Sequence, residues 1–197
     1  KGVRVDLEHA ANLKKNLIVR ENKILNKIKE LTGINVEIHA ARSIAKAFDK
    51  LKLPYDRTEK SNEPSFTKNF LQNHPHELAR SIADAREINK AHTTFIDSIT
   101  KHSAKGRIHA DINQIRSDQG GTVTGRFSMS NPNLQQIPAR HPEIGPMIRS
   151  IFIPEEKTVW GSFDYSQQEP RILVHYAKLQ NLEGVDEIVD AYNEGDA

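Results

Sequence analysis

The stretch Phe163-Asp164-Tyr165-Ser166-Gln167-Gln168-Glu169-Pro170-Arg171 places two carboxylates close together at what reads as the passage from a strand into a helix. An acid held at the exit of a strand can face a cation or a phosphate-bound metal. Two-metal chemistry needs such rigid placement, because two magnesium ions about 4 Å apart activate the attacking oxygen and steady the leaving one. The same position also suits an N-cap of the following helix, which is the commoner use of a strand-end aspartate, and Ser166 is an alternative cap. Glu169 in the first turn is favoured by the positive end of the helix dipole without any further role. Pro170 fits a helix beginning near Gln167 or Gln168, where its missing N–H has no intrahelical acceptor to lose.

The elements that must position these residues can be read from periodicity and punctuation. Thr158 to Phe163 reads as a strand running into Asp164, and Gln168 to Leu179 as a helix with His175 packed on its apolar face. Upstream, Leu7, Leu13, Leu17, Ile24, Ile28 and Leu31 recur mostly at three- and four-residue spacings until Thr32-Gly33, which predicts a long amphipathic helix. A second helix spans about Ala40 to Lys52 and stops before Pro54, because a residue preceding proline is pushed out of the helical region. Tyr55 to Ser65 is polar and reads as an exposed loop; a short helix follows near 65–72 and a long one over His76 to Lys101. At Gly106 the texture changes. Arg107 to Ile112 alternates like a strand, and Gly120-Gly121, Gly125, Pro132 and Pro138 punctuate a long irregular segment of the kind that often carries function. The expected architecture is α+β, with a helical region over 1–104 and a mixed region with an antiparallel sheet over 105–197.

Composition narrows the chemistry. The 197 residues include no cysteine, which excludes disulfides, thiolate metal sites and cysteine nucleophiles and points to a reducing compartment. There is no run of about 18 apolar residues and no secretory signal, so a cytoplasmic protein with no membrane partner is expected. Residues 1–100 carry 18 Lys and Arg against 13 Asp and Glu, a net +5, whereas 101–197 carry 10 against 13, a net −3. The basic half could favour a polyanion, although such an excess also fits an ordinary solvated helical surface.

Asp164-Tyr165-Ser166-Gln167-Gln168-Glu169-Pro170-Arg171, followed by Ile172-Leu173-Val174-His175-Tyr176-Ala177, closely resembles motif A of the family A DNA polymerases, the group of bacterial DNA polymerase I and many phage replicases. Thr124-Gly125-Arg126-Phe127-Ser128 and Pro132-Asn133-Leu134-Gln135-Gln136-Ile137-Pro138 resemble two further family segments, in the family's order. Gly2 to Asp6 and Arg80 to Ile99 resemble the start and end of the thumb subdomain, so the likeness spans essentially the whole chain. Gln168 and Pro170 depart from the commoner form of motif A, and this variant resembles phage-type members.

The resemblance implies a helical thumb over 1–104 and a partial palm over 105–197, ending before the fingers helix and the second metal-binding aspartate. It implies template-directed transfer of dNTPs to a primer 3′ end with Mg²⁺ (two ions in the complete enzyme). Asp164 would be the catalytic metal ligand, joined by the carbonyl of Tyr165. Backbone around Ser166 and Gln167 would approach the triphosphate, since helix N-termini attract anions. Glu169 would be the steric gate against a ribose 2′-hydroxyl. Arg126, Asn133 and Gln135 would contact primer-template DNA in the minor groove, whose acceptors lie in similar places for every base pair and so report pair shape rather than sequence. Roles for Arg140, Arg149 and Arg171 stay open. The chain alone, without a C-terminal polymerase portion, is expected to be inactive. A non-catalytic DNA-binding module and a relative of single-subunit RNA polymerases are the alternatives.

Overall fold

Helix α1 (Leu7–Thr32) begins where Asp6 accepts a hydrogen bond from the His9 N–H at 2.8 Å and ends at Gly33, whose left-handed φ of 68° returns its N–H to the Lys29 carbonyl. The computed structural model describes residues 2–117, 120–138 and 141–195, so Arg140 lies outside the described residues. Helices α2 (Ala41–Lys50) and α3 (Lys68–Asn73) follow the sequence expectation within a few residues. Between them, however, the polar stretch from Tyr55 to Ser65 is not a featureless loop. Strands β2 (Asp56–Arg57) and β3 (Pro64–Ser65) pair antiparallel, and the ring of Tyr55 joins Phe48 and Phe66. Aromatic burial at the base orders a hairpin whose polar tip stays in water.

Helix α4 (Glu77–Lys90) continues through a wide π-turn (Ala91–Ile96) into helix α5 (Asp97–Lys101), matching the single long helix expected over His76 to Lys101. The wide turn has a reason in the sequence. Ala91 and Ile96 are both buried although they are five residues apart, a spacing that a regular α-helix would place on different faces. One extra residue in the turn returns Ile96 and Ile99 to the face occupied by Ile88 and Ala91.

The core forms two clusters. One gathers Ile28, Ile44, Phe48, Leu71, Leu78 and Ile82 among α1 to α4. The other gathers Val5, Leu13, Leu17, Ile96, Ile108 and Ile148, which join α1 and the π-turn to a small sheet and to helix α6 (Ile144–Arg149). Glu21 would be costly in that interior unless paired; its carboxylate meets His92 Nε2 at 2.6 Å and the Asn89 amide at 2.9 Å.

The sheet has the order β4-β5-β1-β8, with β1 (Val3–Val5), β4 (Ser103–Ala104), β5 (Arg107–Ile108) and β8 (Phe152–Ile153) paired antiparallel throughout. The strand expected over Arg107 to Ile112 is therefore two strands. Its second part, β6 (Asp111–Asn113), leaves the sheet and pairs with β7 (Ser128–Ser130) in a separate ribbon. Gly121 is required near the base of that ribbon: at φ +99°, a Cβ there would stand 2.5 Å from the Ile115 carbonyl oxygen.

The chain divides into two units, 1–156 and 157–197, so the expected boundary at 104/105 falls within the first. In the second, helix α7 (Gln168–Leu179) appears as expected and packs against a further helix, α8 (Val185–Glu194), that is not among the expected elements. Lys178 and Asp186 form an ion pair across them at 3.1 Å. The strand expected over Thr158 to Phe163 is not formed. Val159 and Phe163 are 88% and 96% exposed, and no described strand pairs with this stretch. An apolar β-prone run becomes a strand only when another strand completes its hydrogen bonds. Among the described residues, no helix is long and apolar enough to cross a membrane.

Candidate active site and nucleic-acid interface

In the second unit, Asp164, Tyr165 and Ser166 form an exposed approach to α7, with Tyr165 81% exposed. The N-cap of α7 is Gln167, and no side chain caps it, so neither Asp164 nor Ser166 serves as the cap that the sequence allowed. Among the described residues, Asp164 accepts no hydrogen bond and forms no ion pair. Its carboxylate stands in water ahead of a helix N-terminus, a placement with no evident structural use and the right polarity for a cation-bridged phosphate. Pro170 is the third residue of α7, within the first turn as expected, and Glu169 lies exposed beside it. His175 is also exposed, not packed in a core. It lines a groove of about 590 Å³ with Tyr165, Ser166, Gln168, Arg171 and Ile172.

Gln167 adopts φ 51°, ψ 40°, a left-handed conformation costing roughly 1–3 kcal/mol for a residue with a side chain. It persists only if its surroundings hold it. The Arg171 N–H donates to the Gln167 carbonyl at 3.0 Å, and Arg171 Nε donates to the Ser166 carbonyl at 3.0 Å. The same guanidinium donates through Nη1 to the Tyr192 carbonyl of α8 at 2.8 Å and lies 4.7 Å from the Tyr192 ring. The role of Arg171 has one signal in the sequence. A cation in the first turn of a helix opposes the dipole, so it calls for specific acceptors.

In the first unit, Arg126 is exposed beside Gly125, which has φ 74°, and its carbonyl accepts from the Thr122 hydroxyl at 2.7 Å. The Gln135 side chain clasps the backbone next to it: Oε1 accepts from the Met129 N–H and Nε2 donates to the Phe127 carbonyl, each at 3.1 Å. Asn133 Oδ1 accepts from the Gln135 N–H at 3.1 Å, as a turn former after Pro132 would. Local structure thus uses one acceptor and one donor position of the Gln135 amide. The second lone pair and second N–H remain available to a groove, as do the Nδ2 donors of Asn133. Arg149 closes helix α6 as the basic residue of its last turn, where it complements the dipole.

The segment carrying these residues is tied down by a carboxylate that the sequence did not single out. Glu87 of α4 pairs with Lys68 Nζ at 2.8 Å and accepts from His141 Nε2 at 2.9 Å. His141 Nδ1 accepts the N–H groups of Glu143 and Ile144, which fixes its tautomer with the proton on Nε2. Burial pushes the Glu87 carboxyl up, but the hydrogen bonds from Lys68 and His141 outweigh it and hold the group below its ordinary 4.5. A lowered folded-state value means that Glu87 stabilises the fold above about 4.5, and that this contribution is lost as pH falls through the lower folded value. Glu87→Gln should therefore flatten the acid side of the stability profile, read as urea midpoints from about pH 6 to pH 3; an unchanged slope would count against the linkage.

The family model for DNA polymerase family A matches residues 7–195. The chain is 35% identical over 189 residues to a DNA-directed DNA polymerase of Pseudomonas phage M6, covering 91% of this chain and 28% of that protein. It is 33% identical over 191 residues to the thermostable DNA polymerase I of Thermus filiformis, covering 94% of this chain and 22% of that one. Among solved structures, the POL domain of Pol1 from M. smegmatis, in complex with DNA primer-template and dNTP, superposes with a TM-score of 0.72 at 26% identity, covering 90% of this chain and 31% of that chain. The α+β fold and the sequence together place the chain in DNA polymerase family A. It spans between about a fifth and a third of the length of these relatives.

Proposed function

We propose that this chain supplies a thumb-like region, residues 1–104, and part of a palm, residues 105–197, to a template-directed DNA polymerase that adds dNTPs to a primer 3′ end. The observation that carries this reading is Asp164, an exposed carboxylate that takes no part in capping and directly precedes the N-terminus of α7. Family membership makes that placement meaningful; the M. smegmatis relative is described with primer-template and dNTP.

Oxygen donors suit Mg²⁺, a hard ion that takes one or two carboxylates together with phosphate oxygens, and Asp164 with the Tyr165 carbonyl would hold it. When bound, the ion supplies activation of the primer hydroxyl and neutralisation of charge on the departing pyrophosphate. The chain's own residues do the rest of the positioning. The first N–H groups of α7 lack intrahelical acceptors and face a triphosphate favourably. Glu169, beside them, would close the space that a 2′-hydroxyl would fill. Arg126, with the spare amide groups of Asn133 and Gln135, would hold the primer terminus through minor-groove acceptors. Among the described residues, no group of three or more acidic or histidine side chains could hold a metal. The chain spans under a third of the length of its polymerase relatives, so the 197 residues alone are expected not to incorporate nucleotide, with a second acidic ligand supplied by further polymerase sequence.

Primer extension by the full-length polymerase, with deoxynucleotides and ribonucleotides in parallel, tests the reading. Failure to extend a primer would reject it, and preferential use of ribonucleotides would favour an RNA polymerase relative.

A further inference from the structure

We propose that Arg171 is a positioning residue: its guanidinium braces the Asp164–Gln167 turn against the C-terminal end of α8 and so sets how well that turn receives the incoming nucleotide. The proposal rests on the polymerase reading above for its nucleotide, and on the second unit alone for its geometry.

Three contacts converge on one planar group. Nε donates to the Ser166 carbonyl at 3.0 Å, Nη1 donates to the Tyr192 carbonyl at 2.8 Å, and the guanidinium carbon lies 4.7 Å from the centre of the Tyr192 ring. The Tyr192 carbonyl belongs to the last turn of α8, where the dipole favours a cation. The Ser166 carbonyl belongs to the peptide leading into Gln167, the left-handed residue from which α7 starts. Fixing that carbonyl fixes the plane of the 166–167 peptide. The Gln167 N–H, and the neighbouring N–H groups that face the triphosphate, are aimed by the same plane.

Only a fork can do this. A lysine ammonium is a point charge on a flexible stem and has no planar face to lay on Tyr192 while bonding two carbonyls in different directions. Arg171 thus links α8, which carries none of the expected nucleotide-contacting residues, to the turn that carries several.

The test uses the full-length polymerase with Arg171→Ala and Arg171→Lys. A brace predicts that both variants raise the dNTP KM about tenfold with a smaller change in kcat, since misaimed groups lose binding before chemistry. Primer-template affinity should stay unchanged, and backbone amides at 166–168 should exchange hydrogen faster in both variants. Wild-type behaviour of Arg171→Lys would overturn the proposal by showing that charge suffices. So would an unchanged dNTP KM in Arg171→Ala, or a loss of nucleotide and DNA binding in equal measure. A wild-type protein that extends no primer would remove the polymerase reading instead, and the exchange experiment would then report on the brace independently.

Discussion

Asp164→Ala in the full-length polymerase is expected to lower the rate of primer extension by roughly 10³-fold or more, while primer-template binding stays within about twofold of wild type. The magnitude follows from the stabilisation of several kcal/mol that a correctly held metal gives to a charged transition state, at about 1.4 kcal/mol per factor of ten. Binding should survive because Asp164 is exposed and bonded to nothing among the described residues, so its removal leaves no buried partner behind. Single-turnover kinetics and a salt titration of duplex affinity separate the two effects; affinity should fall with salt as phosphate contacts release counterions. Retained extension would show that this carboxylate is not the metal ligand. Binding lost in parallel would show that the residue shapes the fold rather than the chemistry.

The second large effect concerns sugar choice. Glu169→Ala should reduce the preference for deoxyribonucleotides over ribonucleotides by about 10²-fold, chiefly by raising kcat/KM for the ribonucleotide. An added group in a filled space is discriminated by contacts worth about 1–3 kcal/mol, and removing the blocking side chain returns that energy. Glu169 is exposed in the first turn of α7, and the substitution also removes its favourable interaction with the helix dipole, worth about 0.3–1 kcal/mol. Competition between a dNTP and its ribonucleotide at one template position measures the ratio directly. An unchanged ratio would remove the gate assignment while leaving that of Asp164 untouched.

Helices α1, α2 and α7 were legible because an amphipathic repeat, its caps and a following proline or glycine are local signals. The hairpin at 56–65 was not, because it depends on Tyr55 meeting Phe48 and Phe66 from other elements. The stretch 158–163 looked like a strand and is none, since its apolar residues lack a partner strand among the described residues. Conversely, β1 has only three residues and little local signal, yet it lies inside the sheet between β5 and β8. At the candidate sites, it is the resemblance to family A polymerase motifs that pointed to Asp164, Glu169 and Arg126. The local duties of Asn133 and Gln135, and the supports at Glu87, His141 and Arg171, exist only in the folded chain, where residues separated in sequence meet.

By itself the sequence determined helices α1, α2 and α7 and which carboxylates stand at the start of α7, because backbone propensity, capping and periodicity act over a few residues. Tertiary structure decided which strands exist, that Asp164 does not cap α7, and that one guanidinium joins the Ser166 turn to Tyr192. Those outcomes depend on atoms far apart along the chain, whose meeting no local pattern encodes.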